Sequence, residues 1–156
     1  MTERLNYRTA NPEVMHAMLA LEEAVSRSVV ERPLLELVRM RISQMNGCAY
    51  CIDMHSKDAR AAGETEQRLY ALSVWRETPF FSARERAALE WAEMLTRISE
   101  GDISDDLFSR VRGHFSEDEL VTLTLAIVAI NGWNRFAIAF RAIPGSYKAP
   151  EPGGGS

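Results

Sequence analysis

Residues 36–63 read ELVRMRISQMNGCAYCIDMHSKDARAAG and contain both cysteines of the chain, Cys48 and Cys51. The Asn-Gly pair just before Cys48 is a turn signal between two helical patterns. It predicts that the second helix begins near Cys48 and ends at Gly63. Within this helix both cysteines lie at helical spacing on one stripe with His55 and otherwise apolar residues. We therefore expect both thiols to face neighbouring helices.

The spacing of the two cysteines from His55 distinguishes their chemistry. A cysteine reacts as the thiolate, which the amino end of a helix stabilises. His55 follows Cys51 by four residues, one helical turn, but follows Cys48 by seven, about two turns or ~10 Å. Because only Cys51 lies within one turn of this histidine, we predict that Cys51 is the attacking sulfur. Cys48 would then convert the resulting sulfenic acid into a disulfide.

A longer pattern surrounds the two cysteines. Glu36 precedes Cys48 by twelve residues, and His55 follows Cys51 by four. With these four positions the chain resembles the AhpD-like alkylhydroperoxidases, within the carboxymuconolactone decarboxylase family. The similarity extends over most of the chain, through LNYRTANPE, NGCAYCIDMHSKDAR and AINGWNRFAIAFRAIPG. One departure is Tyr50, because the best-studied members have a further histidine just before the second cysteine.

The resemblance implies a thiol-dependent peroxidase of the peroxiredoxin type. Cys51 would be the peroxidatic and Cys48 the resolving cysteine, while Glu36 and His55 would form a proton relay. Its substrates would be hydrogen peroxide or organic hydroperoxides, and its reductant a lipoyl-type or thioredoxin-like dithiol. No haem, flavin or metal cofactor is expected, since sulfur carries the electrons. The resemblance also implies a homo-oligomer, a trimer or hexamer, with the thiol site near subunit contacts.

Other functions are compatible with parts of the sequence. The wider family includes carboxymuconolactone decarboxylases, but the Cys-x-x-Cys pair counts against a decarboxylase. A redox sensor or small binding protein, with little turnover, is a further alternative. Zinc binding would require two more ligands, normally a second close pair, which the sequence lacks. A net charge of −4 without a basic cluster gives nucleic-acid binding little electrostatic support.

Length and composition predict one domain. The 156 residues are enough for one hydrophobic core. We assign residues 1–147 to this domain and residues 148–156, which are rich in glycine and proline, to a disordered tail. The first residues contain no apolar run typical of a signal peptide, so we expect a cytoplasmic protein.

No stretch alternates with a period of two, so the sequence predicts an all-α AhpD-like fold of about six helices. Asn followed by Pro, single cap residues and two S-x-x-E capping boxes mark the helix starts. The predicted starts are Asn11, Pro33, Thr65, Ser82, Ser104 and Ser116, in addition to the start near Cys48. The first helix is expected to end near Val29, and the helix after Ser82 to end at Gly101.

Periodicity also predicts where individual side chains lie. On the helix expected at residues 34–45, the apolar stripe faces away from Glu36. Periodicity alone therefore predicts that Glu36 is a solvated charge, and only its spacing to Cys48 favours a catalytic role. We interpret His16 as a solvated surface residue, and His114 as a residue near a helix end that is not catalytic.

Residues 120–140 form the most apolar segment of the chain. Their length suits a membrane span, but Arg135 lies within them, and a central Arg costs ~2.5–3.5 kcal/mol on insertion scales. We therefore predict a helix buried among partner helices. Thr124, Asn131 and Arg135 form a polar line along it, with Asn134 beside them. Since buried polar groups need partners, this line is expected to fix a helix packing or a subunit contact.

Overall fold

The computed structural model describes residues 1–149, which form eight α-helices and two short 3-10 helices and contain no β-strand. The all-α prediction is confirmed, and short helices such as the four-residue α1 raise the count above the expected six or so. The helices are α1 (Tyr7–Ala10), α2 (Pro12–Ser26), α3 (Arg32–Asn46), α4 (Ala49–Ala61), α5 (Glu66–Ala71), α6 (Ala83–Thr96), α7 (Asp105–Arg112) and α8 (Glu117–Phe140). The 3-10 helices are Leu72–Glu77 and Ile98–Glu100. Residues 150–156, most of the predicted tail, lie outside the described residues.

Side-chain caps begin the helices where the sequence predicts them. The hydroxyl of Ser82 accepts the backbone N–H of Glu85, and the Glu85 carboxylate accepts the N–H of Ser82 in return. Ser116 and Glu119 form the same reciprocal pair at the start of α8. Single caps begin three further helices, at Asn11, Thr65 and Ser104. These predictions succeed because a cap involves only neighbours in the sequence.

Two predicted helix ends are wrong. The helix after Ser82 ends at Thr96 instead of Gly101, and a separate 3-10 turn follows. Ile98 lies on this turn and is 61% exposed, because the apolar stripe ends where α6 ends. The first predicted helix, α2, ends at Ser26 instead of near Val29. The chain bends after Ser26, so that Val29 is exposed and Val30, which follows it, is buried.

Helix α8 occupies the centre of the molecule and packs against α2, α3, α4 and α6. It is the one described helix long and apolar enough to cross a membrane by length and composition. Eight of its 24 residues are buried, which confirms the predicted core side. The opposite side, which we call the exposed α8 face, consists of Val121, Val128 and Ile138 and lies open to solvent. Within residues 1–149, partner helices therefore do not surround α8 on every side, although the sequence led us to expect that they would.

Most of the polar line on α8 fixes the packing of α8 on α3 and α6. The Asn46 Nδ2 atom donates to Oδ1 of Asn131 at 3.0 Å and to Oδ1 of Asn134 at 2.8 Å. Asn134 donates in turn to the Ser43 hydroxyl at 3.1 Å. These bonds connect α8 to the end of α3, directly before the two cysteines. The predicted packing role is confirmed for these residues.

The other two members of the polar line behave differently from each other. Thr124 accepts the indole N–H of Trp91 at 3.0 Å and so connects α8 to α6. Arg135 is exposed and donates only to Asn131, one turn earlier on the same helix. Arg135 therefore does not contribute to helix packing within the described chain.

Candidate active site

A tight turn between α3 and α4 places the cysteines at a helix start. Gly47 ends α3 with φ +68°, in the left-handed region, which glycine adopts without steric cost. Cys48 follows as the N-cap of α4, and its Sγ accepts the backbone N–H of Cys51 at 3.4 Å. The predicted helix start near Cys48 is therefore confirmed. The helix ends at Ala61, just before Gly63, which also has a positive φ of +94°.

Both thiols are reduced and buried, as the helical stripe predicted. Cys48 is 1% exposed and Cys51 is 2% exposed. Their Sγ atoms lie 2.6 Å apart, so the two sulfurs can meet without a rearrangement of the backbone. They differ in surroundings, because Cys51 lines a cavity and Cys48 is not among the residues that line it.

The two thiols have opposite pKa shifts. The hydrogen bond from the Cys51 thiol, the N–H of Cys51 and the Asn134 amide outweigh burial and lower the pKa of Cys48 to about 7. The hydrogen bond to Cys48, together with burial, raises the pKa of Cys51 above its ordinary value. Near neutral pH the pair therefore loses one proton and retains the second. The ionised sulfur is Cys48, because it receives the hydrogen bond of the Cys51 thiol and, as the N-cap, the backbone N–H of Cys51.

Glu36 is buried against His55, contrary to the prediction from periodicity. Oε2 of Glu36 lies 2.9 Å from Nδ1 of His55, and the two residues are only 4% and 6% exposed. Periodicity alone was wrong because α4 packs on α3 and places His55 against Glu36, away from the apolar stripe of α3. The twelve-residue spacing to Cys48 indicated the correct location of Glu36, on the helix that precedes α4 and against His55.

The Glu36 carboxylate is held in its ionised form. Burial alone would raise its pKa, but the hydrogen bond from His55 and the charges of His55 and Arg39 outweigh burial and lower it. An ionised carboxylate only accepts hydrogen bonds, so Nδ1 of His55 carries the proton between them. The other ring nitrogen, Nε2, is buried and has no hydrogen-bond partner among the described residues. It is the nitrogen left to exchange a proton with a reactant.

Arg39 extends this pair into a network that sequence reasoning missed. Its guanidinium donates to Glu36 at 2.8 Å and to Glu22 at 2.6 Å. Glu22 also accepts the indole N–H of Trp133 at 3.0 Å. The i, i+3 spacing of Glu36 and Arg39 was an available signal, but Glu22 and Trp133 belong to α2 and α8 and are distant in sequence. The network therefore ties the Glu36–His55 pair to the core helices.

A cavity of about 270 Å³ lies beside Cys51 and His55. Tyr50, at the position where the resemblance would place a histidine, lines it, and its hydroxyl accepts a hydrogen bond from Arg8 at 2.9 Å. The predicted residues Glu36, Cys51 and His55 thus lie around one cavity, with Cys48 directly behind Cys51. The other two histidines, His16 and His114, are exposed and are not among the lining residues, and the surface position predicted for His16 is confirmed.

One group of potential metal ligands lies in the described residues, formed by Glu36, His55 and Asp58, whose ligand atoms lie within 4.8 Å of one another. Each of these groups already has a hydrogen-bond partner, since Glu36 pairs with His55 and Asp58 accepts the hydroxyl of Tyr147 at 2.7 Å. The cysteines do not belong to this group. Hydrogen bonding alone accounts for its arrangement.

Comparison with known proteins identifies the family. The model of the carboxymuconolactone decarboxylase family matches residues 12–94, which include both cysteines, Glu36 and His55. The chain belongs to the carboxymuconolactone decarboxylase family. The uncharacterized Bacillus subtilis protein YdfG is 48% identical to it over 139 residues, which cover 89% of this chain and 95% of YdfG.

Solved structures confirm the AhpD-like fold within this family. A crystal structure from Agrobacterium tumefaciens matches with a TM-score of 0.90 and 44% identity, covering 94% of this chain and 100% of that one. That protein is of unknown function, with a suggested antioxidant-defence role of the AhpD type. The debrominase Bmp8 matches with a TM-score of 0.77 and 21% identity, over 88% of this chain and 74% of its own. At that identity the likeness shows the fold alone.

The site predicts that the Asn134 amide sets the acidity of this thiol pair. The Asn134 amide lowers the pKa of the Cys48 thiol, so Asn134→Ala should raise it, and an interaction of this kind with a charged group is worth about 1.5 kcal/mol, or about one pKa unit. Alkylation by iodoacetamide, measured against pH, should rise with a midpoint near the pKa of Cys48, about 7. In Asn134→Ala this midpoint should move to higher pH, because the thiolate forms less readily.

Asn131→Ala is the matched control for this experiment. It also removes a hydrogen bond to Asn46, but it leaves the amide of Asn134 in place beside the thiols. Its alkylation midpoint should equal that of the unmodified protein. An unchanged midpoint in Asn134→Ala, or an equal shift in both variants, would show that this amide does not act on the thiols.

Proposed function

We propose that this protein is a thiol-dependent peroxidase that reduces hydroperoxides through a Cys48–Cys51 dithiol/disulfide cycle. The observation that carries the proposal is the location of Cys51, which lines a cavity while its Sγ contacts a second, more acidic thiol. The buried Glu36–His55 pair lines the same cavity. A nucleophile, a resolving thiol and a proton donor are therefore available at one point.

The first step oxidises Cys51. Near pH 7 the thiol pair carries one proton, and the 2.6 Å contact between the sulfurs allows this proton to pass from Cys51 to Cys48. The Cys51 thiolate then attacks the terminal oxygen of the hydroperoxide, the O–O bond breaks and a sulfenic acid forms. The proton that the thiol pair gave up is held on Nε2 of His55, and the leaving alkoxide takes it, so the products are the sulfenic acid and an alcohol. Attack by Cys51 is thus compatible with the lower pKa of Cys48, because the substrate in the cavity reaches Cys51 and the proton can move to Cys48.

The second step joins the two sulfurs. The Cys48 sulfur attacks the Cys51 sulfur, the S–O bond breaks, and the hydroxide leaves as water with the proton from Cys48. The two cysteines have together given two electrons to the peroxide and form a disulfide. An external dithiol of the lipoyl or thioredoxin-like class would return these electrons by thiol–disulfide exchange.

Glu36 and His55 act in the proposed mechanism as the acid–base pair. The ionised Glu36 holds the Nδ1–H of His55 and stabilises the imidazolium that forms when Nε2 takes up a proton. Arg39 donates to the other carboxylate oxygen of Glu36 and so helps to keep Glu36 ionised. General acid–base assistance of this kind contributes typically 10²–10⁴-fold to a rate. With Tyr50 in place of a further histidine, this pair performs the proton transfer without a second imidazole.

The paired thiols favour this proposal over the alternatives from the sequence. A decarboxylase needs no second thiol in contact with the first. A redox sensor would use the same disulfide but would not consume peroxide continuously when a dithiol is supplied. Continuous turnover with dihydrolipoamide therefore separates a peroxidase from both alternatives.

Two cysteine variants test the assigned roles. Cys51→Ser should abolish peroxide consumption, because it removes the sulfur that lines the cavity. Cys48→Ser should still form a sulfenic acid at Cys51, which dimedone traps and mass spectrometry locates, but should not turn over. Oxidation in Cys51→Ser, together with none in Cys48→Ser, would reverse the roles of the two thiols. Circular dichroism of both variants controls for loss of the fold.

We also propose that the protein is a cytoplasmic homo-oligomer, a trimer or hexamer. A lone Cys-x-x-Cys pair without structural disulfides is typical of a reducing compartment, and the exposed α8 face presents Val121, Val128 and Ile138 to solvent. A second copy would cover this face. Light scattering at micromolar concentration should give a mass several times that of one chain, and Val128→Asp should lower it. A mass of one chain, unchanged on dilution, would contradict the proposal.

A further inference from the structure

Arg8 is a cation at the cavity that no carboxylate neutralises within residues 1–149. Its guanidinium lies 5.6 Å from the ring centre of Tyr7 and 5.5 Å from that of Tyr50. It donates one hydrogen bond, to the hydroxyl of Tyr50 at 2.9 Å. The two rings therefore hold this positive charge in place beside the residue that precedes Cys51.

The other charged groups that line the cavity are already engaged. Arg39 pairs with both Glu36 and Glu22, and Asp58 accepts the hydroxyl of Tyr147. Asp58 lies eight residues after Tyr50 on α4, about 12 Å along the helix axis. An anion that enters the cavity is therefore repelled from the Asp58 end and attracted to the Arg8 end.

The free donors of Arg8 suit a carboxylate. A guanidinium has five N–H groups in a planar fork that matches a carboxylate in bidentate geometry, and only one of them is occupied by Tyr50. Arg8 is exposed, so an entering molecule can reach it. The cavity that Arg8 and Cys51 line also offers apolar surface, from Leu19, Met54, Trp133 and Ala137.

We propose that Arg8 binds the carboxylate of an anionic organic hydroperoxide and thereby selects this substrate class for Cys51. The proposal rests on the peroxidase function above and adds its specificity. The apolar residues would receive the hydrocarbon part of the substrate, with the peroxide group at the sulfur. Hydrogen peroxide, which lacks both a carboxylate and a hydrocarbon part, would gain nothing from Arg8.

A different role for Arg8 would act through the thiol. Its positive charge opposes the rise in the pKa of Cys51 that the hydrogen bond to Cys48 and burial produce. If this were its function, the loss of Arg8 would slow the oxidation of Cys51 by every hydroperoxide equally. Carboxylate binding predicts instead a loss that depends on the charge of the substrate.

The test compares cumene hydroperoxide with its para-carboxylate derivative, which differs from it only by the added carboxylate group. The unmodified protein should react faster with the carboxylate. Arg8→Gln should lower the rate constant for the carboxylate about tenfold, as expected for a lost hydrogen bond to a charged group, and change that for cumene hydroperoxide less than about twofold. Raising the salt concentration should reduce the preference of the unmodified protein, because salt screens exposed charges.

Arg4→Gln is the matched control. Arg4 lies in the same amino-terminal segment and donates to the backbone oxygen of Ala139 at 2.9 Å, but it is not among the residues that line the cavity. Its loss should leave both rate constants unchanged. Equal slowing of both hydroperoxides in Arg8→Gln, or no preference in the unmodified protein, would overturn the proposal.

A binding measurement separates this inference from the peroxidase function. para-Isopropylbenzoate carries the carboxylate but no peroxide, and its binding can be followed by tryptophan fluorescence, since Trp133 lines the cavity. Binding that Arg8→Gln weakens about tenfold supports the carboxylate site, even if neither hydroperoxide is reduced. Equal binding to the unmodified protein and to Arg8→Gln, or none to either, overturns it, even if cumene hydroperoxide is turned over.

Discussion

The 2.9 Å hydrogen bond between Glu36 and His55 is the interaction around which the site is built. A carboxylate as deeply buried as Glu36 would be unstable as an anion without compensating partners. His55 and Arg39 are these partners, and they come from α4 and from the next turn of α3. The packing of α4 on α3 is therefore a condition for this Glu36–His55 pair. It depends on the left-handed turn at Gly47.

The same turn determines the state of the thiols. Because α4 begins directly after Gly47, Cys48 becomes its N-cap and its sulfur receives a helix N–H. Cys51, one turn on, faces the cavity instead. Cys48 is thus the more acidic of the two sulfurs and Cys51 the accessible one, and the proposed proton transfer runs across their contact. The Asn134 amide joins this arrangement to α8, the central helix of the fold.

Local sequence signals predicted much of this structure. The caps at Ser82 and Ser116, the turn before Cys48 and the inward stripe of α4 depend on residues within a few positions of one another. These local signals could not predict features that depend on how the helices pack against one another. The burial of Glu36 arises because α4 covers the polar side of α3, and the hydrogen bond from Arg8 to Tyr50 joins residues 42 positions apart. The pKa order of the thiols likewise depends on hydrogen-bond directions that spacing does not reveal.

In the proposed cycle one hydroperoxide molecule oxidises both cysteines of one chain. Thiol titration and intact-mass measurement before and after one equivalent of cumene hydroperoxide test this step. Both free thiols should be lost together, the mass should fall by two hydrogen atoms, and a peptide containing the Cys48–Cys51 disulfide should be recovered. Loss of a single thiol with a retained oxygen atom, and no disulfide, would contradict it.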